Sequence, residues 1–244
     1  MLSSQAIKEN LPYLRRFARS LTGTQKSGDG YVRMLLEAAQ SDRDLVAQMA
    51  SGRVGLYHAF CKLHRSGASA ALGVSREVPQ QRQALLLTTM EDFSIAQAGE
   101  ILGISAQDVE AQVAEALAVI DGESPARVLI IEDEPLISMQ LEGLVEDLGH
   151  VVCGMAATRD QAVALAAEHA PSLVLADIQL ADGSSGIDAV DDILSGASVP
   201  VVFITAYPER LLTGERSEPA FLVTKPFHEA TVRAAISQAL FFAD

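Results

Sequence analysis

Three absences narrow the classes of protein to which this sequence can belong. Only two cysteines, Cys61 and Cys153, occur in 244 residues, too few for a disulfide framework and without the spacing of metal ligands. No apolar run approaches the roughly 20 residues of a membrane-spanning helix. The first residues, MLSSQAIKEN, lack the basic and then apolar pattern of a signal peptide. These absences predict a reduced, cytoplasmic protein.

Basic residues are missing from the middle of the chain. Residues 83–126 contain eight Asp and Glu but no Lys or Arg. Residues 1–82 contain 12 basic and 6 acidic residues, and residues 127–244 contain 6 basic and 18 acidic ones. Charge changes of this size indicate three regions with different tasks. The 49% hydrophobic content is typical of globular domains, and the length is sufficient for two of them.

Strand-like and helix-like segments alternate from Arg127 onward. Five short apolar runs precede helical patterns: RVLII, HVVCGMA, SLVLADI, PVVFITA and AFLVTKP. The first helical pattern begins with Pro135 and ends at Gly149, as the preferences of helix termini predict. This alternation predicts an α/β domain with a doubly wound, five-stranded parallel sheet of the flavodoxin-like type, covered by helices on both faces.

Polar residues follow four of these five predicted strands. Glu132 and Asp133 follow the first strand, Asp177 the third, Thr205 the fourth and Lys225 the fifth. Each residue alone is typical of a helix cap or a turn, but the carboxyl ends of parallel strands share one edge of a sheet. Carboxylates there suit Mg²⁺, Lys and Thr can hold phosphoryl oxygens, and a carboxylate can itself accept a phosphoryl group.

The region 126–244 resembles the receiver domain of two-component response regulators. The resemblance implies that Asp177 is the phosphoacceptor and that a sensor histidine kinase is the phosphodonor. It also implies that Glu132, Asp133 and Asp177 hold Mg²⁺, that Thr205 is a switch hydroxyl, and that Lys225 contacts the phosphoryl group. No enzymatic activity beyond phosphoryl acceptance is expected.

The sequence departs from receivers at the aromatic switch, which usually lies three residues before the lysine. Leu222 occupies that position, which leaves Phe221 and Tyr207 as alternative candidates. The histidines have neither catalytic nor metal-ligand spacing, so packing or surface roles are expected for them: His58, His64, His150, His169 and His228.

The first 65 residues have an all-helical pattern. In LPYLRRFARSLTG (11–23), leucines and Phe17 share one face, and Arg15, Arg16 and Arg19 are expected to point outward. The segments YVRMLLEAA (31–39) and DLVAQMASGRVGLYHAFCKLHR (44–65) continue the pattern. The small and polar stretch 66–78 is predicted to be a linker.

A helix-turn-helix is predicted in the acidic middle region. A short helix ends at Leu102, Gly103 makes the turn, and Ser105 caps a second helix with Asp108 at its third position. The outward face of that helix carries Asp108, Glu110 and Glu115. Because DNA affinity depends on Lys and Arg that neutralise phosphates, this helix is expected not to bind duplex DNA.

The paired helical segments resemble the two conserved regions of extracytoplasmic-function sigma factors. The expected organisation is a region-two-like segment (1–65), a linker (66–78), a region-four-like helix-turn-helix (79–120), a second linker (121–126) and the receiver (127–244). Working sigma factors usually carry an acidic run that engages RNA polymerase where this chain has SGDGYV. Only Asp29 is left of that run.

The whole chain resembles the PhyR-type regulators of the alphaproteobacterial general stress response. That resemblance implies a NepR-like anti-sigma factor as partner, sequestered by the sigma-like half when the receiver is phosphorylated, so that the true sigma factor is freed. It also implies an intramolecular contact between the two halves before phosphorylation. The alternatives are a phosphorylation-controlled DNA-binding regulator or a working sigma factor, for which residues 1–82 would supply the basic surface. A sigma-like half that only packs on the receiver is a further alternative.

Overall fold

The protein divides into two compact units in a computed structural model, Met1–Ala118 and Val119–Asp244. The structure describes residues 2–66, 78–122, 124–180, 182–208, 211 and 218–243. Most of the predicted linker 66–78 therefore lies outside the described residues. None of the described helices is long and apolar enough to span a lipid bilayer.

The described part of the first unit is helical. The helices are α1 (Leu2–Thr22), α2 (Gln25–Ala39), α3 (Arg43–Ala50), α4 (Arg53–His64), α5 (Gln80–Thr89), α6 (Ile95–Leu102) and α7 (Ala106–Ile120). The apolar face of α1 is buried, and Phe17 lies 5.3 Å from Tyr57 and 5.9 Å from Phe60 between ring centroids. An aromatic cluster between α1 and α4 thus forms the centre of this core.

The arginines expected on the outside of α1 are turned inward. Arg19 is fully buried and Arg16 has only 11% of its side chain exposed, so the expectation of an outward face is wrong for both. Arg15 and Arg19 each form a bidentate ion pair with Asp29 of α2. Buried guanidinium groups need such partners, because desolvating an unpaired charge is costly.

Two helix boundaries differ from a simple reading of the sequence. The pattern 44–65 contains two helices, α3 and α4, because Gly52 between them has φ +126°, which ordinary residues avoid. Helix α2 begins at Gln25, since the Thr24 hydroxyl caps it by accepting a hydrogen bond from Ser27 N. As a consequence, Asp29 lies within a helix and faces α1.

The predicted helix-turn-helix is confirmed. Helix α6 ends at Leu102, and Gly103 has φ +71°. The Ser105 hydroxyl accepts a hydrogen bond from Asp108 N at 3.1 Å and so caps α7. Val109, Ala116 and Ile120 of α7 are buried, and so form the inner face of this helix.

The second unit contains the predicted five-stranded parallel sheet. Its strands are β1 (Arg127–Ile131), β2 (Val151–Ala156), β3 (Leu173–Ala176), β4 (Val201–Thr205) and β5 (Phe221–Thr224), in the order β2-β1-β3-β4-β5. Its helices are α8 (Pro135–Asp147), α9 (Arg159–His169), α10 (Gly186–Gly196) and α11 (Glu229–Phe241). Helix α8 packs with α11 and α9 with α10, so two helical layers cover the sheet. The fold class is confirmed.

Candidate functional site

The strand order brings three polar side chains to one edge of the sheet. Strand β1 lies beside β3, so Glu132 and Asp177 follow neighbouring strands. Lys225 reaches both carboxylates from the end of β5: its Nζ donates to Glu132 Oε2 and to Asp177 Oδ2, each at 2.7 Å. The ammonium group therefore bridges two acidic groups that would otherwise repel each other.

Three carboxylates at this edge could share a cation. Glu132, Asp133 and Asp177 each place one carboxylate oxygen within 4.8 Å of the others. Among the described residues, no other group of three or more His, Cys, Asp or Glu side chains lies this close together. Hard carboxylate oxygens are the ligands that Mg²⁺ prefers. Glu134, which the sequence did not single out, adds a further carboxylate. Its Oε1 lies 3.7 Å from Lys225 Nζ.

The pKa values at the site reflect burial and charge together. Burial raises the pKa of Glu132, although the hydrogen bond from Lys225 partly offsets this effect. Burial alone would lower the pKa of Lys225, but the hydrogen bonds to Asp177 and Glu132 raise it above its ordinary value. Lys225 is therefore charged at neutral pH, as required of a group that is to hold an anion.

The backbone around Asp177 is fixed by a close approach of two segments. Asp177 Oδ1 accepts a hydrogen bond from Ile178 N at 2.6 Å, and Gly186 N donates to Ile178 O at 3.1 Å. A Cβ atom on Gly186 would overlap Asp177 O and would lie 2.9 Å from the Asp177 carbonyl carbon. Gly186 is thus required for the local geometry of Asp177, and the sequence alone did not reveal it.

Thr205 and the candidate aromatic switches differ in their exposure. Thr205 is fully buried; its Oγ1 accepts a hydrogen bond from Tyr207 N at 3.2 Å, and its carbonyl accepts one from Lys225 N at 2.8 Å. Tyr207 is 44% exposed, whereas Phe221 and Leu222 are buried. Of the two aromatic candidates, Tyr207 is the one beside the site.

An open cleft of about 390 Å³ lies over these groups. Its lining includes residues from the ends of β1, β3, β4 and β5: Asp133, Glu134, Asp177, Gln179, Leu180, Ala206, Tyr207 and Lys225. Asp177 lines the cleft beside the ammonium group of Lys225 and further carboxylates. This arrangement can accept an anionic group, provided that the added negative charge is neutralised.

The helix-turn-helix presents an acidic surface. Asp108, Glu110 and Glu115 of α7 are all exposed, and the segment 83–126 supplies no Lys or Arg to offset them. The surface of α7 therefore carries the charge opposite to that of a DNA-reading helix.

Comparisons with known proteins match the whole chain. The profile of the sigma2 domain of PhyR matches residues 7–61, that of the sigma-like domain of the response regulator PhyR matches 75–123, and that of the response regulator receiver domain matches 128–237. The phyllosphere-induced regulator PhyR of Methylorubrum extorquens is 48% identical, with 99% of this chain and 96% of that protein covered.

Solved structures agree in fold as well as in sequence. The response regulator PhyR of Brucella abortus is 51% identical and covers 99% of this chain and 95% of its own, with a TM-score of 0.90. The anti-anti-sigma factor PhyR of Bartonella quintana is 52% identical over 98% of this chain and 96% of its own, with a TM-score of 0.88. With a sigma-like half of seven described helices joined to a receiver, this chain belongs to the PhyR family of response regulators.

Proposed function

We propose that this chain is an anti-anti-sigma factor controlled by phosphorylation of Asp177. In the phosphorylated state, its sigma-like half binds and sequesters a NepR-like anti-sigma factor and so frees the true sigma factor for stress-response transcription. The observation that carries the proposal is the cleft in which Asp177 lies 2.7 Å from Lys225 beside two further carboxylates. The Bartonella quintana relative has been crystallised in complex with the anti-sigma factor NepR, which supports the choice of partner.

The phosphodonor that we propose is the phosphohistidine of a sensor histidine kinase, acting in the cytoplasm. A carboxylate oxygen of Asp177 attacks phosphorus, an O–P bond forms, and the P–N bond breaks with its electron pair on the imidazole nitrogen. Lys225 is charged and already touches Asp177, so it can pair with a phosphoryl oxygen after transfer. We propose no enzymatic activity beyond this step.

Glu132, Asp133 and Asp177 are the residues that would hold Mg²⁺. When bound, the ion would neutralise the negative charge of the phosphoryl oxygens, which carboxylates alone would repel. Lys225 supplies a single positive charge against the carboxylates around it. The excess of acidic groups at this edge favours a divalent cation.

The switch is proposed to act by local rearrangement. The segment 121–126 is short, so it keeps the two halves at an effective concentration on the order of millimolar. In the closed state the sigma-like half contacts the receiver, and in the open state it is released. Shifting the population from mostly closed to mostly open requires phosphorylation to change the free-energy difference between these states by about 5.5 kcal/mol. A phosphoryl group adds only about two negative charges, screened within roughly 8 Å. Thr205 and Tyr207, linked at 3.2 Å, are the residues proposed to transmit the change.

Internal ion pairs favour this function over that of a working sigma factor. Asp29, the one acid of SGDGYV, is engaged by Arg15 and Arg19 of the neighbouring helix. Arg16 and Arg19 are buried in ion pairs and so contribute little to a basic surface. Contacts with polymerase or DNA through these charges would first require the internal pairs to break.

The assignment of Asp177 can be tested by phosphorylation with acetyl phosphate and Mg²⁺. The parent protein should gain one phosphoryl group, measured by intact-mass spectrometry, and Asp177→Asn should gain none. Asp191→Asn, an exposed carboxylate of α10, is the matched control and should behave as the parent. Phosphorylation of Asp177→Asn at the parental rate would contradict the assignment.

A further inference from the structure

Glu91 is a buried acidic residue that the phosphorylation site does not use. It lies in the loop between α5 and α6, and only 1% of its side chain is exposed. This loop belongs to the region-four-like helices α5–α7. A carboxylate without solvent must find hydrogen-bond donors inside the protein. Among the described residues, the side chains that donate to Glu91 come from the region-two-like helices.

Three side chains from α1 and α4 surround this carboxylate. Arg16 donates to Glu91 Oε1 from Nη2 at 2.9 Å and from Nε at 3.2 Å. Arg53 Nη2 and the Tyr57 hydroxyl donate to Oε2 at 2.8 Å and 2.7 Å. Each carboxylate oxygen thus accepts two strong hydrogen bonds, most of them charge-assisted.

The groups around the carboxylate are packed by aromatic rings. Arg53 lies over the ring of Phe93 at 4.3 Å, and the rings of Tyr57 and Phe93 are 4.9 Å apart. Burial first, and then the charge of Glu91, raise the pKa of Tyr57 well above its ordinary value, so the phenol stays a proton donor. The contact therefore combines charge, hydrogen bonds and a cation–π interaction.

Two further hydrogen bonds join α4 and Arg65, the residue after it, to the end of α6. Arg65 Nη1 donates to Leu102 O at 2.9 Å, and His58 Nδ1 lies 2.7 Å from Glu100 O. These carbonyls belong to the last turn of α6, which has no intrahelical donors for them. The region-two-like part thus caps the first helix of the helix-turn-helix.

We propose that Glu91 is a latch that holds the helix-turn-helix on the region-two-like helices and presents both to a partner as one preformed surface. The consequence for anti-sigma binding rests on the proposed function; the latch itself does not. A working reader of DNA needs its helix-turn-helix free to dock, whereas a protein that imitates a sigma factor binds its target more tightly if its surface is assembled in advance.

The latch has a measurable effect on affinity. If only a fraction of molecules has the helix-turn-helix docked, the apparent Kd is the intrinsic Kd divided by that fraction. A Glu91→Gln variant keeps the shape of the side chain but loses its charge and points an amide donor at arginine donors. If docking falls to about one molecule in ten, binding weakens about tenfold.

The test measures, in the full chain, the distance between the region-two-like helices and the helix-turn-helix. Spin labels are placed on exposed sites by Glu37→Cys in α2 and Glu110→Cys in α7. Cys153 is replaced by alanine, whereas Cys61 can stay because burial raises the pKa of its thiol to about 12. The expected result is a narrow distance distribution in the parent and a broad one in Glu91→Gln.

Asp29→Asn is the matched control. This substitution also removes a carboxylate that binds two arginines. The lost ion pairs, however, join α1 to α2 within the region-two-like part and do not involve the helix-turn-helix. Its distance distribution should stay narrow. Tyr57→Phe, which removes a single donor and preserves the ring, should broaden the distribution less than Glu91→Gln and provides a test if the latter does not fold.

The outcomes separate the latch from the proposed function. A narrow distribution in both Glu91→Gln and Tyr57→Phe would refute the latch. A broad distribution with unchanged affinity for a NepR-like anti-sigma factor, measured with Mg²⁺ and beryllofluoride, would refute the need for a preformed surface. If the labelled parent bound no anti-sigma factor at all, the proposed function would fail while the distances still decided the latch.

Discussion

Gly186→Ala should damage the phosphorylation site although it removes no charged group. The added methyl would overlap the carbonyl oxygen of Asp177 and lie 2.9 Å from its carbonyl carbon. These are backbone atoms of a buried segment, so they cannot swing aside as a flexible side chain could. Relief requires a shift of α10 or of the backbone after β3.

The size of the effect follows from that overlap. Overpacking a well-packed interior costs typically 1–3 kcal/mol, and a backbone obstacle places this variant near the upper end, at about 3 kcal/mol. The shift would also move Ile178, whose N–H donates to Asp177 Oδ1 at 2.6 Å. We therefore expect phosphorylation to slow even in the fraction of molecules that stays folded.

Hydrogen exchange of the full chain can measure both the cost and its location. Amides of β1 and β3 should exchange faster in Gly186→Ala by a factor that corresponds to the lost stability, whereas amides of α1 and α4 should not change. Gly196→Ala is the control, because it adds the same methyl to the other end of α10, where no atom of another segment lies within 4 Å. If Gly186→Ala exchanged its amide hydrogens and accepted the phosphoryl group at the parental rates, the requirement for glycine at position 186 would be refuted.

Three further predictions concern charge and burial. Lys225→Met should slow phosphorylation about a hundredfold or more, because one preorganised cation is lost. The same variant should bind Mg²⁺ more tightly in an NMR titration, since Glu132 and Asp177 then lack a competing cation. An unchanged rate of phosphorylation would contradict the role of the lysine. Burial alone would raise the pKa of Asp29, but its two arginines lower it below the ordinary 3.8. The ionised Asp29 therefore stabilises the folded protein above that pH, and this stabilisation is lost as the pH falls through the folded-state pKa. The difference in free energy of unfolding between the parent and Asp29→Asn, measured with urea, should become smaller in acid. Cys61, whose pKa is raised to about 12 by burial, should resist iodoacetamide at pH 8 in the folded protein, where about one thiol in ten thousand is ionised; rapid alkylation would show that α4 opens readily.

The receiver could be predicted because its signals are local. A strand covered on both faces is an uninterrupted apolar run, as in β3, where all four residues are buried. Helices between such runs imply parallel strands, and parallel strands place their carboxyl ends together. The meeting of Glu132, Asp177 and Lys225 follows from this topology, although the residues lie up to 93 positions apart.

The arginines of α1 could not be placed in the same way. Helical periodicity identifies the face on which a residue lies, but not whether another segment covers that face. Arg16 meets a carboxylate 75 residues later in the chain, and Arg19 meets Asp29 across the turn between α1 and α2. The need for Gly186 is hidden for the same reason, because it arises from the tertiary approach of α10 to the strand end.

The central claim is that phosphorylation of the receiver controls binding of an anti-sigma factor. Calorimetric titration of a NepR-like protein into this chain, with and without Mg²⁺ and beryllofluoride as the phosphoryl mimic, tests it most directly. The account predicts tight binding with the mimic and weak or no binding without it, and loss of that difference in Asp177→Ala. Equal binding in both conditions, or binding in neither, would contradict it.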